Sequence, residues 1–153
     1  MSRQLVRASR RAVIRILVFL VTLSPAFASE LGDEPPLAAL MGQLQVYLHK
    51  LDLSVQGNNT ELAAFYQHEL EEVTEEIVDD VPEYDGFAIS ELTSQMLVPR
   101  IESLERALAS GGDLRKEMQL LISTCNACHA ATDHGFIKIT SATSNPFNQD
   151  FDR

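Results

Sequence analysis

The chain has 153 residues, and its 22 Asp and Glu outnumber its 12 Lys and Arg to give a formal net charge of −10. This excess of negative charge repels nucleic acid and anionic membrane surfaces, so neither is expected as a partner. Only two cysteines are present, both in one tetrapeptide, which excludes a disulfide framework between distant parts of the fold.

Residues 1–28 predict a signal peptide. They contain five arginines and no acidic residue, followed by the apolar run AVIRILVFLVTL and the tripeptide AFA. A positive start, a short apolar centre and a small-residue cleavage site are typical of secretion signals. The run is too short and interrupted to cross a bilayer of about 30 Å comfortably, although an uncleaved anchor remains the alternative. We therefore expect a periplasmic protein, exported across a bacterial inner membrane, with no stable membrane span after cleavage.

Cleavage would change the charge balance of the protein. Residues 29–153 carry 7 Lys and Arg against 22 Asp and Glu, a formal charge of −15. The length of this part of the chain suits one domain. A partner protein recognised through this charge is expected to be basic.

The first half of the remaining chain predicts two amphipathic helices. The first covers roughly residues 37–55 and ends at QGNN. Asn59 or Thr60 can cap the second, which stops before the loop DDVPEYDG. The predicted apolar positions are Leu37, Leu40, Met41, Leu44, Leu48, Leu51 and Val55 in the first helix, and Leu62, Phe65, Tyr66, Val73 and Ile77 in the second.

The second half predicts two more helices. A helix over residues 89–109 contains Pro99, which should kink or divide it because proline lacks the backbone donor and clashes with the preceding turn. After two glycines, Asp113 can cap a fourth helix that carries the sequence CNACH on its last turns. The fold class predicted is all-α, an antiparallel up-down-up-down four-helix bundle over residues 29–130, with an extended C-terminal tail over residues 131–153.

CNACH matches the C-x-x-C-H attachment signature of c-type haem. In such sites the two thiols add to the porphyrin vinyl groups and the adjacent histidine ligates the iron, which makes Cys125, Cys128 and His129 the candidate site. One helical turn separates the two sulfurs and brings them to the same side. The predicted export is consistent with a c-type haem, because the haem is attached covalently on the far side of the bacterial inner membrane.

The motif allows three other interpretations. A zinc site would need further ligands, which the chain could supply only from scattered histidines. A thioredoxin-like dithiol normally starts a helix, where the dipole lowers the thiol pKa, whereas this motif ends one. A chance C-x-x-C, reduced or locally oxidised beside an exposed histidine, is the third.

With these features the chain resembles the class II c-type cytochromes, of the cytochrome c prime and cytochrome c-556 type. These are exported four-helix bundles with CxxCH near the end of the last helix. The resemblance covers about residues 35–130 and implies one covalent haem c, attached at Cys125 and Cys128, with His129 as the proximal ligand. It also allows a homodimer through the first two helices. The chain departs from the family in continuing for 24 residues after the motif.

Distances along the helices of the predicted bundle indicate a candidate for the sixth iron ligand. Counting at 1.5 Å per residue, the position opposite His129 on the first helix falls near residue 39, so Met41 is the candidate ligand, with core filling as the alternative. His49 and His68 lie about 12 Å farther along their helices from the level of His129. There they could meet each other or hydrogen-bond to carboxylates. His134 is interpreted as a loop residue.

We expect a monohaem c-type cytochrome that carries single electrons. The alternative is a five-coordinate haem protein that binds NO or CO, its distal side walled by Leu37, Leu40 or Leu44. No arrangement of acid, base or nucleophile predicts an enzyme. The acidic run of residues 69–85, nine carboxylates without a basic residue, is interpreted as a solvated helix face or as a surface that steers a basic redox partner.

Overall fold

The computed structural model describes residues 36–153, so the predicted signal peptide lies outside the described residues. The described part of the chain is an all-α helical bundle without strands, apart from one isolated bridge between Tyr84 and Phe87. Within residues 36–153, no helix has the length and apolar content needed to cross a membrane. The helices are α1 (Pro36–Gln56), α2 (Thr60–Asp80), α3 (Ile89–Met96), α4 (Val98–Ser110) and α5 (Leu114–Ala131).

Two of the predicted N-caps are confirmed. The Asn59 side chain accepts a hydrogen bond from the main-chain N–H of Leu62 at 3.2 Å, and Asp113 accepts one from Lys116 at 3.1 Å. Each cap satisfies a donor at the first turn that has no partner within the helix. Gly111 ends α4 in the left-handed conformation, with a φ of 70°, which costs glycine little.

The predicted third helix is divided, as the position of Pro99 suggested. The break falls at Leu97, between α3 and α4, and places Pro99 in the first turn of α4. Proline is tolerated there because the N–H it lacks would have no helical partner. The divided helix keeps Ile89 and Thr93 buried on α3, and Ile101 and Leu104 on α4.

One predicted core position is wrong. Phe65 is 52% exposed, whereas its neighbour Tyr66 is buried. Successive residues of a helix point about 100° apart, so the stripe through Tyr66, Leu70 and Ile77 leaves Phe65 at its edge. Phe65 packs edge-on against the Tyr66 ring, with the ring centroids 5.1 Å apart.

The segment after α5, residues 133–153, contains neither helix nor strand and is hydrogen-bonded to α1 and α2. The main-chain N–H of Ala142 donates to the buried carboxylate of Asp52 at 2.7 Å. The Tyr66 hydroxyl donates to Gln149 at 2.6 Å, and Phe151 is only 5% exposed. The C-terminal segment is therefore part of the packed domain.

Candidate functional site

A cavity of about 400 Å³ lies among α1, the loop and helix that follow α2, α5 and the C-terminal segment. Its volume is in the range of ligand sites, about 300–1,000 Å³. The walls are mainly apolar and contain no Lys, Arg, Asp or Glu. The lining residues are Leu37, Ala38, Met41, Gly42, Leu44, Gln45, Leu48, Leu70, Tyr84, Phe87, Ile89, Thr93, Leu97, Leu121, Thr124, Cys125, Cys128, His129, Thr132, His134, Ile137 and Ile139.

All four of the residues predicted for the site line this cavity. Cys125, Cys128 and His129 contribute from the last turns of α5, and Met41 contributes from the second turn of α1. The spacing of the motif explains the first three, since a helical turn brings the two sulfurs to one side. Met41 comes from a distant part of the sequence, and the packing of the helices brings it to the cavity.

Both cysteines are free thiols in an apolar setting. Burial, with a smaller contribution from the neighbouring Cys128, raises the pKa of Cys125 to about 11. Burial also raises the pKa of Cys128. A catalytic dithiol needs the opposite shift, toward the thiolate at neutral pH. The site therefore favours thiols that stay protonated over a thioredoxin-like pair.

A main-chain contact orients the imidazole of His129. Its Nδ1 atom lies 3.2 Å from the carbonyl oxygen of Ile137. Because a carbonyl can only accept, Nδ1 must carry the proton, and the neutral ring then keeps its lone pair on Nε2. This is the tautomer that a histidine needs in order to ligate a metal through Nε2.

The segment that supplies this carbonyl is fastened to the CNACH helix. The side chain of Asn126 donates to the Ile139 carbonyl and accepts from the Ile139 N–H, both at 2.9 Å. Ile137 and Ile139 line the cavity themselves. We call residues 137–139 the strap. Sequence reasoning missed both the strap and Asn126, because nothing in the spacing of the tail indicates its partner on α5.

The wall contributed by α1 contains leucines beside Met41. Leu37 and Leu44, two of the three leucines named for this wall, line the cavity. Leu40 belongs to the buried core and is not among the lining residues.

His49 and His68 do not share a partner, so the structure does not bear out the suggestion that they meet. The Nε2–H of His49 donates to the Ser144 carbonyl at 3.0 Å. The side chain of His68 is 63% exposed and lies 3.4 Å from the carboxylate of Glu72. Proximity to carboxylates is thus found for His68 alone, because His49 faces the C-terminal segment instead. Among residues 36–153, no group of three or more His, Cys, Asp or Glu is placed to hold a metal ion.

His134 lies in the loop after α5, as predicted, and also lines the cavity. Its Nδ1–H donates to the Thr132 carbonyl at 2.6 Å. The ring lies 6.2 Å from that of Tyr84, centroid to centroid. Tyr84 is flanked by the exposed Glu83 and Asp85, so the end of the acidic run borders the cavity.

Comparisons of the chain with protein-family models, with curated proteins and with solved structures find no match.

Proposed function

We propose that this protein is an exported monohaem c-type cytochrome that carries single electrons. One haem c would be attached to Cys125 and Cys128, with His129 as the proximal ligand of its iron. The observation that carries the proposal is that both thiols, this imidazole and Met41 line one apolar cavity of suitable size.

The residues present fit the group. The two protonated thiols can each add across a vinyl group, the sulfur bonding to one carbon and the hydrogen to the other, so attachment requires no oxidant. The hydrogen bond from Nδ1–H to Ile137 leaves Nε2 of His129 available for iron. When bound, the haem supplies a one-electron centre, and the apolar walls keep water from it, which favours the less charged reduced state.

The sixth ligand decides the kind of function. We propose Met41, since a thioether ligand opposite histidine raises the reduction potential and suits electron transfer. A five-coordinate haem that binds NO or CO is the second candidate, and the observation that favours it is the presence of Leu37 and Leu44 in the same wall.

The finer architecture is part of the proposal. We propose an antiparallel up-down-up-down bundle, because three residues connect α1 to α2 and three connect α4 to α5, and because both of these helix pairs pack together. The C-terminal segment would be an extended tail over this bundle. Periplasmic location, a basic redox partner and a homodimer through α1 and α2 complete the proposal, and no enzymatic activity is part of it.

The decisive experiment is expression of the full chain together with a c-type haem-attachment system. We expect covalent haem in the periplasmic fraction, which stays with the protein after denaturation and extraction with acidified solvent. The Cys125→Ala/Cys128→Ala double variant is the control and should lose its haem in the same extraction. Absence of covalent haem from the unaltered protein would overturn the proposal.

The spectrum then separates the two candidates. Low-spin ferric and ferrous bands with slow CO binding favour the electron carrier, and high-spin ferric bands with rapid CO binding favour the gas-binding protein. Electron transfer with a basic partner should slow as ionic strength rises, because salt screens the attraction of the acidic surface.

A further inference from the structure

Asn126, the second residue of CNACH, connects the motif to the C-terminal strap. Its amide oxygen accepts from the Ile139 N–H and its amide nitrogen donates to the Ile139 carbonyl, which pairs the side chain with both polar groups of one residue. The same nitrogen also lies 3.1 Å from the Ile122 carbonyl, one turn earlier in α5. The side chain is therefore held on its own helix while it holds the strap.

Two main-chain hydrogen bonds secure the other end of this connection. The N–H of His134 donates to the His129 carbonyl, and the N–H of Ile137 donates to the His134 carbonyl, both at 2.8 Å. The chain from His129 to Ile137 is thus a closed pair of turns. With Asn126 holding Ile139, the Ile137 carbonyl is fixed from both sides against the imidazole.

We propose that Asn126 is a positioning residue for the proximal iron ligand. Through Ile139 it keeps the Ile137 carbonyl on the Nδ1–H of His129, which sets the ring orientation and the tautomer and strengthens electron donation from Nε2. This inference rests on the proposed function, because it assigns the hydrogen bond to a histidine that binds haem iron. Partners of this kind on the far side of a ligating histidine raise its basicity.

The C-terminal segment contains a natural control for this role. Asn145 also makes two hydrogen bonds to main-chain groups, donating to Gln149 at 2.7 Å and accepting from Phe147 at 2.9 Å. Neither Asn145 nor these partners line the cavity. Asn145→Ala should loosen the C-terminal segment without reaching His129, so it measures the effect of general loosening.

The test uses the haem-loaded full chain in the ferrous state, as the CO adduct if the sixth position is open. In Asn126→Ala we expect the His129 Nδ1 proton and the Ile139 amide proton, followed by NMR, to exchange with solvent about tenfold faster than in the unaltered protein. Asn126→Asp keeps the acceptor for the Ile139 N–H but loses the amide donor, so its exchange should be intermediate. In Asn145→Ala both rates should stay unchanged.

A second measurement detects the iron–imidazole bond itself. In the ferrous five-coordinate form, reached by photolysis of CO where needed, resonance Raman should show a lower iron–histidine stretching frequency in Asn126→Ala. Weaker electron donation from the imidazole accounts for the change, and a merely loosened tail would not produce it. Asn145→Ala should keep the frequency of the unaltered protein.

The outcomes distinguish this inference from the function on which it rests. If the unaltered protein takes up no covalent haem, the proposed function fails, and this inference fails with it. If haem attaches but Asn126→Ala and Asn145→Ala give the same exchange rates and Raman frequency, only the positioning role is overturned. If Asn126→Ala does not fold, the exchange rates and the Raman frequency of Asn126→Asp are compared with those of Asn145→Ala instead.

Discussion

Met41, in the second turn of α1, and His129, in the last turn of α5, line the same cavity. In the proposed cytochrome this arrangement offers a thioether and an imidazole to one iron.

Substitution of Met41 tests the sixth ligand. Met41→Ala should convert a low-spin ferric spectrum into a high-spin one and accelerate CO binding, because the thioether no longer occupies the iron. Visible spectra and CO mixing kinetics measure both changes. Met96→Ala is the control, since Met96 is partly buried at the end of α3 and does not line the cavity. A low-spin spectrum that survives in Met41→Ala would direct the search to His134, the other imidazole in the cavity, and away from His49 and His68.

The cysteines predict a loss of stability at alkaline pH in the haem-free chain. The pKa of the Cys125 thiol is about 11 in the folded protein and 9.0 in its ordinary setting, so above pH 9 the unfolded chain releases a proton that the folded chain retains. The free energy of unfolding should therefore be unaffected below pH 9 and fall as the pH rises toward 11, by at most about 3 kcal/mol.

Urea unfolding at a series of pH values measures this fall. Cys125→Ala should remove most of this fall in the free energy of unfolding. The haem-loaded protein should not show the fall, because its sulfurs are thioethers. A haem-free chain whose stability does not change between pH 9 and 11 would contradict the assignment of a buried, protonated thiol.

Substitution of Gly42 should affect the stability of the haem-free and haem-loaded proteins differently. It lies inside α1, it lines the cavity, and a Cβ added there would meet nothing within 4 Å. Gly42→Ala should stabilise the haem-free chain by about 0.5–1 kcal/mol, because alanine favours the helix. A bound haem would need that space, so the haem-loaded protein should lose the gain. Thermal unfolding of both forms makes the comparison, and an equal gain in each would show that the haem does not approach Gly42.

Substitution of Gly57 tests how closely the C-terminal residues pack against the end of α1. A Cβ at this position would meet the carbonyl group of Phe151, with the carbonyl carbon 2.9 Å away. Gly57→Ala should therefore displace the C-terminal residues and reduce the free energy of unfolding by about 1–3 kcal/mol. The midpoint of urea unfolding measures the effect.

Removing residues 150–153 provides the matched test for Gly57. In the shortened chain the substitution should cost little, because the carbonyl group that it meets is gone, and the two changes should be non-additive. If Gly57→Ala costs the same with and without these residues, the close approach of Phe151 is not its cause.

Much of the helical structure follows from the sequence, because its determinants are local. Asn59 and Asp113 cap helices through side chains that reach only three residues along the chain. Pro99 divides α3 from α4 through its missing N–H. The grouping of Cys125, Cys128 and His129 is local as well, since the helical repeat alone brings them to one side. The place of Met41 in the cavity wall could also be predicted, because the order of the helices and the rise per residue give its distance along α1.

Tertiary structure alone decided the partners that lie far apart in sequence. The C-terminal segment has no periodicity from which its path could be predicted, yet it supplies the Ile137 carbonyl to His129, the Ser144 carbonyl to His49 and the Ala142 N–H to Asp52. The spacing of apolar residues predicts Phe65 in the core, but the position of the neighbouring elements leaves it at the edge of the buried stripe. Hydrogen bonds of the main chain carry no residue-specific signal, and burial depends on what packs against a face. The sequence therefore predicts the thiols and the imidazole of the site, and the fold determines the tautomer of His129 and what covers it.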